Sequence, residues 1–229
     1  LHNWAIVLWA FGGDLVSPDF KKATFNGPEG VAAMNWYVDL VRTGLASKAC
    51  AEYNQPNADA AFINGNVSMA FMGPWNVADI IHDNPSLKYD VVEPPAGPKG
   101  RAAFSGGSNL AILAASRKQA DAKAWIRFLI RKDTLISYTK DLTHMLPATK
   151  EAFADPFFST GVNRAFKAAL EYATAYPPLG VWGSIENDIT GEFKAIFTDY
   201  VTGQLGPNGV QQHLNTAAQR VDVSLKNER

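Results

Sequence analysis

The sequence predicts an α/β fold, because segments with the pattern of strands alternate along the chain with amphipathic helices. Residues 67–72 and 87–91 alternate in the way that is typical of half-buried strands. Residues 110–114 form a short, continuous apolar run of the length expected for a buried strand. Residues 31–45 instead place apolar side chains three or four positions apart, which predicts a helix with one buried stripe.

The composition is that of a globular chain. Of 229 residues, 47% are hydrophobic and 19% are charged, which excludes a disordered segment. No apolar run approaches the ~18 residues that a membrane helix needs. The formal net charge is −1 and the basic residues are scattered, so the sequence carries no electrostatic footprint for nucleic acid. Cys50 is the only cysteine, so no disulfide can form within the chain.

Start and stop signals divide most of the chain into helices. Asn26, Pro28 and Glu29 fit a helix opening, as a capping side chain, a proline in the first turn and an acid near the positive helix end. Gly44 is expected to end that helix, and Ser184 is expected to cap a later one. The buried stripe of that later helix comprises Ile185, Ile189, Phe193, Ile196 and Tyr200. Further helices are expected over residues 57–63, 77–84, 122–129, 133–142, 162–170 and 210–225.

One stretch, residues 60–75, joins several of these features. Gly65 can end a helix in the left-handed conformation, and residues 67–72 follow as a strand with their odd-numbered side chains on one face. A Gly-Pro pair then turns the chain and places Trp75 at the carboxyl end of the strand, where ligands bind in open α/β sheets. The local pattern leaves two alternatives open for Trp75, a stacking surface or a core side chain.

The same stretch carries a family resemblance. Ala60-Ala61-Phe62, Gly65, Met69 and Gly73-Pro74-Trp75, in this order and spacing, resemble the signature of the extracellular solute-binding proteins of sugar ABC importers. The resemblance, to the maltose-binding-protein-like family 1, implies a periplasmic-binding-protein type II-like fold that captures a sugar between two lobes. It also implies that the tryptophan after Gly-Pro stacks on a sugar ring.

The resemblance assigns further ligand contacts along the chain. Two indoles precede a Gly-Gly-Asp turn in a segment that lines the family's cleft, although an apolar segment with a tight turn is an alternative. A Gly-Gly-Ser-Asn run stands where the family's backbone reaches the sugar, with a simple β-turn as the alternative. A later indole follows a proline-containing loop, where the family has a second stacking aromatic. The predicted sugar-contacting residues are Trp4, Trp9, Asp14, Trp75, Gly106, Gly107, Ser108, Asn109 and Trp182. Trp125, on the apolar stripe of a helix, is expected in the core instead.

The resemblance also implies a domain organisation. Residues 1–109 and 147–229 would form the family's carboxyl-terminal lobe, and residues 110–146 would belong to an amino-terminal lobe that is otherwise missing. The chain starts with Leu1 rather than Met, so we expect part of a longer protein, whose remainder or another chain supplies that lobe. We expect the isolated chain to bind sugar weakly or not at all. The resemblance further implies ABC permease subunits as partners and a periplasmic or extracellular location, with lipid anchoring as one form.

Other chemistry finds little support in the sequence. The four histidines are far apart and no metal-ligand spacing occurs, so neither a metal nor a cofactor is expected. Phosphate-binding glycine loops are missing, and a nucleophile elbow fails because Leu110 stands where it needs glycine. Two alternatives stay open: a glycan-active enzyme that uses an acid among Asp14, Glu186 and Asp188, and a binding protein of the same fold for a non-sugar ligand. Nothing in the spacing of those acids indicates a carboxylate separation of about 5 Å or about 6.5–9.5 Å, one of which glycoside hydrolysis requires.

Overall fold

The computed structural model describes residues 1–228, apart from the side chain of Gln55, and is mostly helical. The α-helices of this described part are α1 (His2–Ala10), α2 (Pro28–Arg42), α3 (Gln55–Ile63), α4 (Trp75–Asp83), α5 (Gln119–Leu129), α6 (Lys132–Ser137), α7 (Lys150–Phe153), α8 (Asn163–Ala169), α9 (Trp182–Thr202) and α10 (Gly209–Asn227). Shorter helical turns comprise the 3₁₀ segments Lys48–Glu52, Pro156–Ser159 and Leu170–Tyr172 and the π-helix Tyr138–Thr143. Two short parallel strands, β1 (Ala103–Phe104) and β2 (Ala173–Thr174), pair with Ala103 opposite Ala173.

The chain divides into two compact units. The first unit comprises Leu1–Pro56, Pro94–Ser105 and Tyr172–Arg229, and the second comprises Asn57–Glu93 and Gly106–Glu171. These limits differ from the predicted lobe boundaries. That residues 110–146 belong to an otherwise missing lobe stays a prediction.

Four helices of the first unit, α1, α2, α9 and α10, share one hydrophobic core. The α9 and α10 helices pack on each other, α10 also packs on α2, and α2 packs on α1. Burying each large apolar side chain contributes about 1.5–3 kcal/mol, so this core dominates the stability of the unit. Its fully buried side chains are Leu8, Leu15, Phe25, Met34, Ile185, Ile189, Ile196, Leu214 and Val221. The predicted stripe of α9 is confirmed, with Phe193 and Tyr200 partly rather than fully buried, and the predicted helix over residues 210–225 is confirmed as α10.

The ends of two helices differ from the prediction. Asn26 does not cap α2, because its Nδ2 donates to Asn215 on α10 at 2.9 Å and Gly27 occupies the capping position. Ser184 does not cap α9, because the chain already makes helical hydrogen bonds before it. The Trp182 N–H donates to the Leu179 carbonyl at 3.1 Å, and the helix begins at Trp182 itself.

The three predicted strands at residues 67–72, 87–91 and 110–114 are wrong at the level of secondary structure. In the described residues these segments have no hydrogen-bonded neighbouring strand, and a strand is stabilised only by such a partner. Burial still alternates over residues 87–92, as the pattern predicts. Met69, expected on the buried face of its strand, is 87% exposed.

The longest helix of the second unit, α5, exposes part of the apolar stripe that was predicted to face the core. No side chain of α5 is fully buried, and Trp125, predicted in the core, is 60% exposed. Its ring stacks on Phe128 with centroids 5.4 Å apart. The other residues of the stripe, Ala122, Ile126 and Leu129, are partly buried, so the described part of the unit covers the stripe only in part.

Candidate functional site

An aromatic cluster lies in the first unit and contains two of the predicted sugar-contacting residues. Tyr176 is at its centre, with ring centroids 4.6 Å from Trp182, 4.7 Å from Phe104 and 6.5 Å from Trp9. His2 stacks on Phe104 at 4.3 Å, and its Nδ1 lies 2.6 Å from the Tyr176 hydroxyl oxygen. Half-buried rings in mutual contact offer an apolar surface with fixed geometry, which suits packing against another flat or ring-shaped molecule.

Secondary structure explains why residues so distant in sequence meet here. The strands β1 and β2 are parallel, so their carboxyl ends lie at the same edge. Phe104 ends β1, and Tyr176 follows β2 by two residues. The Ser105 N–H continues the pairing by donating to the Thr174 carbonyl at 2.9 Å. Helix α1 packs on β1, and α9 starts with Trp182, so both helices add their rings at this edge.

Asp14 is placed beside Trp9 by a turn that requires glycine. Gly12 has a φ of +89°, which disfavours other residues, and a Cβ at Gly13 would lie 2.4 Å from Cδ1 of Leu8. The Trp9 Nε1–H and the Leu15 backbone N–H both donate to Oδ1 of Asp14, at 3.3 and 2.7 Å. Its Oδ2 has no partner among the described residues and is available to accept a hydrogen bond.

Trp182 presents carbon rather than nitrogen to solvent. The side chain is half-buried, but its Nε1 is buried and has no hydrogen-bond partner in residues 1–228. The accessible part of the ring is therefore apolar, which favours contact with C–H groups over hydrogen bonding.

Trp4 lies in the core and does not offer the predicted ligand contact. It is 3% exposed and packs edge-on against Phe193 at 4.6 Å and Phe25 at 6.2 Å. Because neighbouring side chains cover its ring, the structure offers no free indole face here. Trp4 stabilises the α1–α9 packing behind the aromatic cluster.

Trp75 lies in the second unit and is 38% exposed, so it is not a core side chain there. It opens α4, and its indole lies against the backbone of Gly73, where a Cβ would approach the ring to 2.3 Å. Gly65 ends the preceding helix with a φ of +74°, as predicted.

The Gly-Gly-Ser-Asn run at residues 106–109 also belongs to the second unit. All four residues are exposed, and no strand or turn of the described chain contains them. A Cβ at Gly107 would meet no atom within 4 Å, so the backbone there is open to a ligand.

Electrostatics keep the cluster neutral at physiological pH. Burial raises the pKa of the Tyr176 hydroxyl, and the negative charge of Glu186 raises it further. Burial is also the largest cause that lowers the pKa of His2 below its ordinary value of 6.5. Neutral Tyr176 and neutral His2 can each donate and accept, which fits a polyhydroxylated ligand better than an ionic one.

Three members of the cluster were not predicted from sequence: His2, Phe104 and Tyr176. Tyr176 had a usable signal, since an aromatic residue directly before Pro177-Pro178 is a side chain presented on a rigid turn. Phe104 directly precedes the Ser-Gly-Gly run, and His2 carries no comparable local signal. In the described residues no group of three or more His, Cys, Asp and Glu side chains is arranged to hold a metal ion.

The comparison with known sequences decides the family. A sequence profile of bacterial extracellular solute-binding proteins matches residues 2–167. The chain belongs to the bacterial extracellular solute-binding protein family. The predicted resemblance to the extracellular solute-binding proteins is thereby confirmed, and the family's extracellular character implies a periplasmic or extracellular location. No helix of the described part of this solute-binding protein is long and apolar enough to cross a membrane.

Two relatives illustrate how much of the family's length this solute-binding protein represents. A binding protein of Brucella abortus (strain 2308) is 27% identical over 222 residues, which are 96% of this chain and 52% of the relative. The diacetylchitobiose binding protein DasA of Streptomyces coelicolor is 26% identical over 207 residues, which are 88% of this chain and 48% of the relative. The chain thus spans about half the length of the curated relatives it matches.

Solved structures confirm the predicted fold class. The cyclic α-maltosyl-1,6-maltose binding protein of Arthrobacter globiformis is 25% identical with a TM-score of 0.74, and the match covers 99% of this chain and 56% of that one. An ABC transporter solute-binding protein of Thermotoga lettingae, bound with α-D-tagatose, is 24% identical with a TM-score of 0.81 and coverages of 98% and 56%. This solute-binding protein therefore has the α/β, type II periplasmic-binding-protein fold, of which its mostly helical chain represents part.

Proposed function

We propose that this chain is part of the carbohydrate-binding component of an ABC importer, and that its aromatic cluster contacts the sugar. The cluster of Trp9, Tyr176 and Trp182 beside Asp14 is the observation that carries the proposal. The names of one relative and two structural neighbours state diacetylchitobiose, a cyclic maltose derivative and tagatose as ligands, and all three are carbohydrates.

The proposed recognition uses two complementary kinds of contact. The C–H face of a sugar ring packs on the exposed carbon surface of Trp182, because both surfaces lose contact with water. Sugar hydroxyls hydrogen-bond to Oδ2 of Asp14 and to the Tyr176 hydroxyl, and the carboxylate makes the stronger, charge-assisted bond. Leaving one of these groups buried without a partner costs about 1–3 kcal/mol, so a sugar with a mismatched hydroxyl is rejected.

The second unit supplies its own proposed contacts. Trp75 is exposed at the start of α4 and is proposed as a stacking side chain. The open backbone of Gly106 and Gly107, with Ser108 and Asn109, is proposed to supply hydrogen-bonding groups. Trp4 is left out of the proposed contacts because its ring is covered in the core.

We further propose that the protein binds sugar without chemical conversion. The matching family and the structural neighbours are binding proteins. The glycan-active alternative would use an acid among Asp14, Glu186 and Asp188, but Asp14 already accepts hydrogen bonds from Trp9 and Leu15. An oligosaccharide incubated with the protein and analysed by chromatography is expected to stay intact, and shortened products would favour the enzyme.

The proposed physiological setting follows from the family. The protein would deliver its sugar to the membrane-spanning permease subunits of an ABC importer, from a periplasmic or extracellular position that includes a lipid-anchored form. The remainder of the full-length protein, or another chain, would complete the ligand cleft.

A pair of matched tryptophan variants tests the proposed site. Saturation-transfer NMR detects weak binding, and we expect transfer from the wild-type chain to maltotriose or diacetylchitobiose. Trp182→Ala is expected to abolish or strongly reduce this signal, because it removes the stacking surface. Trp125→Ala removes a more exposed indole outside the site and is expected to keep the signal. Loss in both variants, or in neither, would contradict the proposed site.

A further inference from the structure

The start of α4 contains a buried polar side chain that the proposed contacts do not use. Asn76 is 1% exposed and follows Trp75 in the first turn of the helix. Its Oδ1 accepts a hydrogen bond from the Gly73 backbone N–H at 3.1 Å. Its own backbone N–H donates to the Gly73 carbonyl, also at 3.1 Å. Asn76 thus fixes both polar groups of Gly73.

Gly73 is in turn the surface against which the Trp75 indole rests. A Cβ at Gly73 would lie 2.3 Å from Cη2 and Cζ3 and 2.5 Å from Cε3 of that indole. The six-membered ring of Trp75 therefore packs directly on the backbone at residue 73. Any shift of this backbone must shift the ring as well.

The side-chain oxygen of Asn76 has a structural role that its side-chain nitrogen lacks. The Asn76 Nδ2 is buried and has no hydrogen-bond partner in the described residues, which is unfavourable. A leucine, which has the same number and branching of side-chain heavy atoms but no polar group, would remove this unpaired donor but would leave the buried Gly73 N–H without its acceptor. The hydrogen bond from the Gly73 N–H is therefore the contact that requires an acceptor on the side chain of residue 76.

We propose that Asn76 is a positioning residue for sugar binding, which holds the Gly73–Pro74 turn so that the Trp75 indole keeps one orientation. This inference rests on the proposed function, since it takes Trp75 as a stacking side chain. A ring that is ordered before binding loses less conformational entropy when a ligand packs on it, and this is worth up to about tenfold in the dissociation constant.

Two substitutions at position 76 separate the acceptor from the branched shape of the side chain. Asn76→Leu keeps the number and branching of the side-chain heavy atoms and removes the acceptor. Asn76→Asp keeps the acceptor and replaces the unpaired donor with a second oxygen, whose charge lies near the positive end of α4. The emission of Trp75 is isolated by subtracting the spectrum of each variant combined with Trp75→Phe.

The first readout is quenching of the isolated Trp75 emission by acrylamide, without any sugar. We expect Trp75 to be several-fold more quenchable in Asn76→Leu than in the wild type, and unchanged in Asn76→Asp. Equal quenching in Asn76→Leu and the wild type overturns the proposal, and so does equal quenching in the two variants. If Asn76→Leu does not fold, Gly73→Ala perturbs the same turn, and wild-type quenching there overturns the proposal.

The second readout is titration with maltotriose and with diacetylchitobiose. We expect Asn76→Leu to weaken binding by up to about tenfold, and Asn76→Asp to bind like the wild type. Undiminished binding by Asn76→Leu overturns the positioning role. Failure of the full-length wild-type protein to bind either sugar contradicts the proposed function instead, and the quenching result then still reports on the turn.

Discussion

Exposure separates the indoles of this chain into different roles. Trp4 is covered by core side chains, Trp182 and Trp9 are half-buried in a cluster, and Trp75 and Trp125 are exposed. The sequence could not separate Trp4 from Trp9, because both lie on the same short apolar helix. It placed Trp125 in the core because of its position on an apolar stripe, and periodicity cannot tell whether another element covers that stripe.

The glycine at position 13 gives a test at this scale. A Cβ there would lie 2.4 Å from Cδ1 of Leu8 and 3.1 Å from Cβ of Glu29, and Leu8 is fully buried. We expect Gly13→Ala to lower the free energy of unfolding by about 1–3 kcal/mol, because the core must move to accept it. Urea denaturation followed by circular dichroism measures this change.

Gly191 is the matched control for that substitution. It lies on α9, is exposed, and a Cβ there would meet no atom within 4 Å. Gly191→Ala is expected to stabilise the protein by roughly 0.5–1 kcal/mol, because alanine is the better helix former. A Gly13→Ala variant as stable as the wild type would show that the turn before Asp14 is not closely packed.

At the scale of elements, helices were predicted better than strands for a physical reason. The buried stripe of a helix consists of apolar residues three and four positions apart, so α2, α9 and α10 could be predicted from their own segments of sequence. A strand depends on a partner elsewhere in the chain, and the segments at 67–72 and 110–114 have none in the described residues. The start of α9 was predicted wrongly, at Ser184, because the residues before Ser184 already form helical hydrogen bonds.

A charged network joins α9 and α10. His213 on α10 has Nδ1 2.7 Å from Glu192 and Nε2 3.1 Å from Asp199, while Arg220 pairs with Glu192 at 2.9 Å. Both ring nitrogens can donate to the carboxylates only in the protonated imidazole. Burial lowers the pKa of His213, but the hydrogen bonds and charges of Glu192 and Asp199 raise it by more, so the folded-state pKa lies above 6.5.

The network predicts a pH-dependent stability. Because the folded-state pKa of His213 exceeds that of the unfolded chain, its contribution is fully present below about pH 6.5 and is lost as pH rises through the folded-state pKa. We expect the difference in free energy of unfolding between the wild type and His213→Gln to shrink from about pH 6 to about pH 9. His82→Gln, which replaces an exposed histidine, is the control. We expect its free energy of unfolding to follow the same pH dependence as that of the wild type. A difference that stays constant with pH would contradict the prediction.

At the scale of the whole molecule, the fold class and the family were predictable, and the aromatic cluster was only partly so. The signature at residues 60–75 and the indole at 182 indicated a member of the extracellular solute-binding proteins, and the family match confirms that family. The meeting of Phe104 and Tyr176 could not be read from sequence, because it depends on the parallel pairing of β1 with β2. Since the chain spans about half of its relatives, weak or absent sugar binding by the isolated chain stays a prediction.

The most direct test of sugar contact at the aromatic cluster is a titration of the ¹⁵N-labelled chain with maltotriose, observed at the tryptophan indole N–H signals. The signals are assigned with single Trp→Phe variants. We expect the signals of Trp182, Trp9 and Trp75 to shift in a saturable way, and those of Trp4 and Trp125 to stay in place. If Trp182 and Trp9 do not move, or only Trp125 does, the carbohydrate does not bind at this cluster.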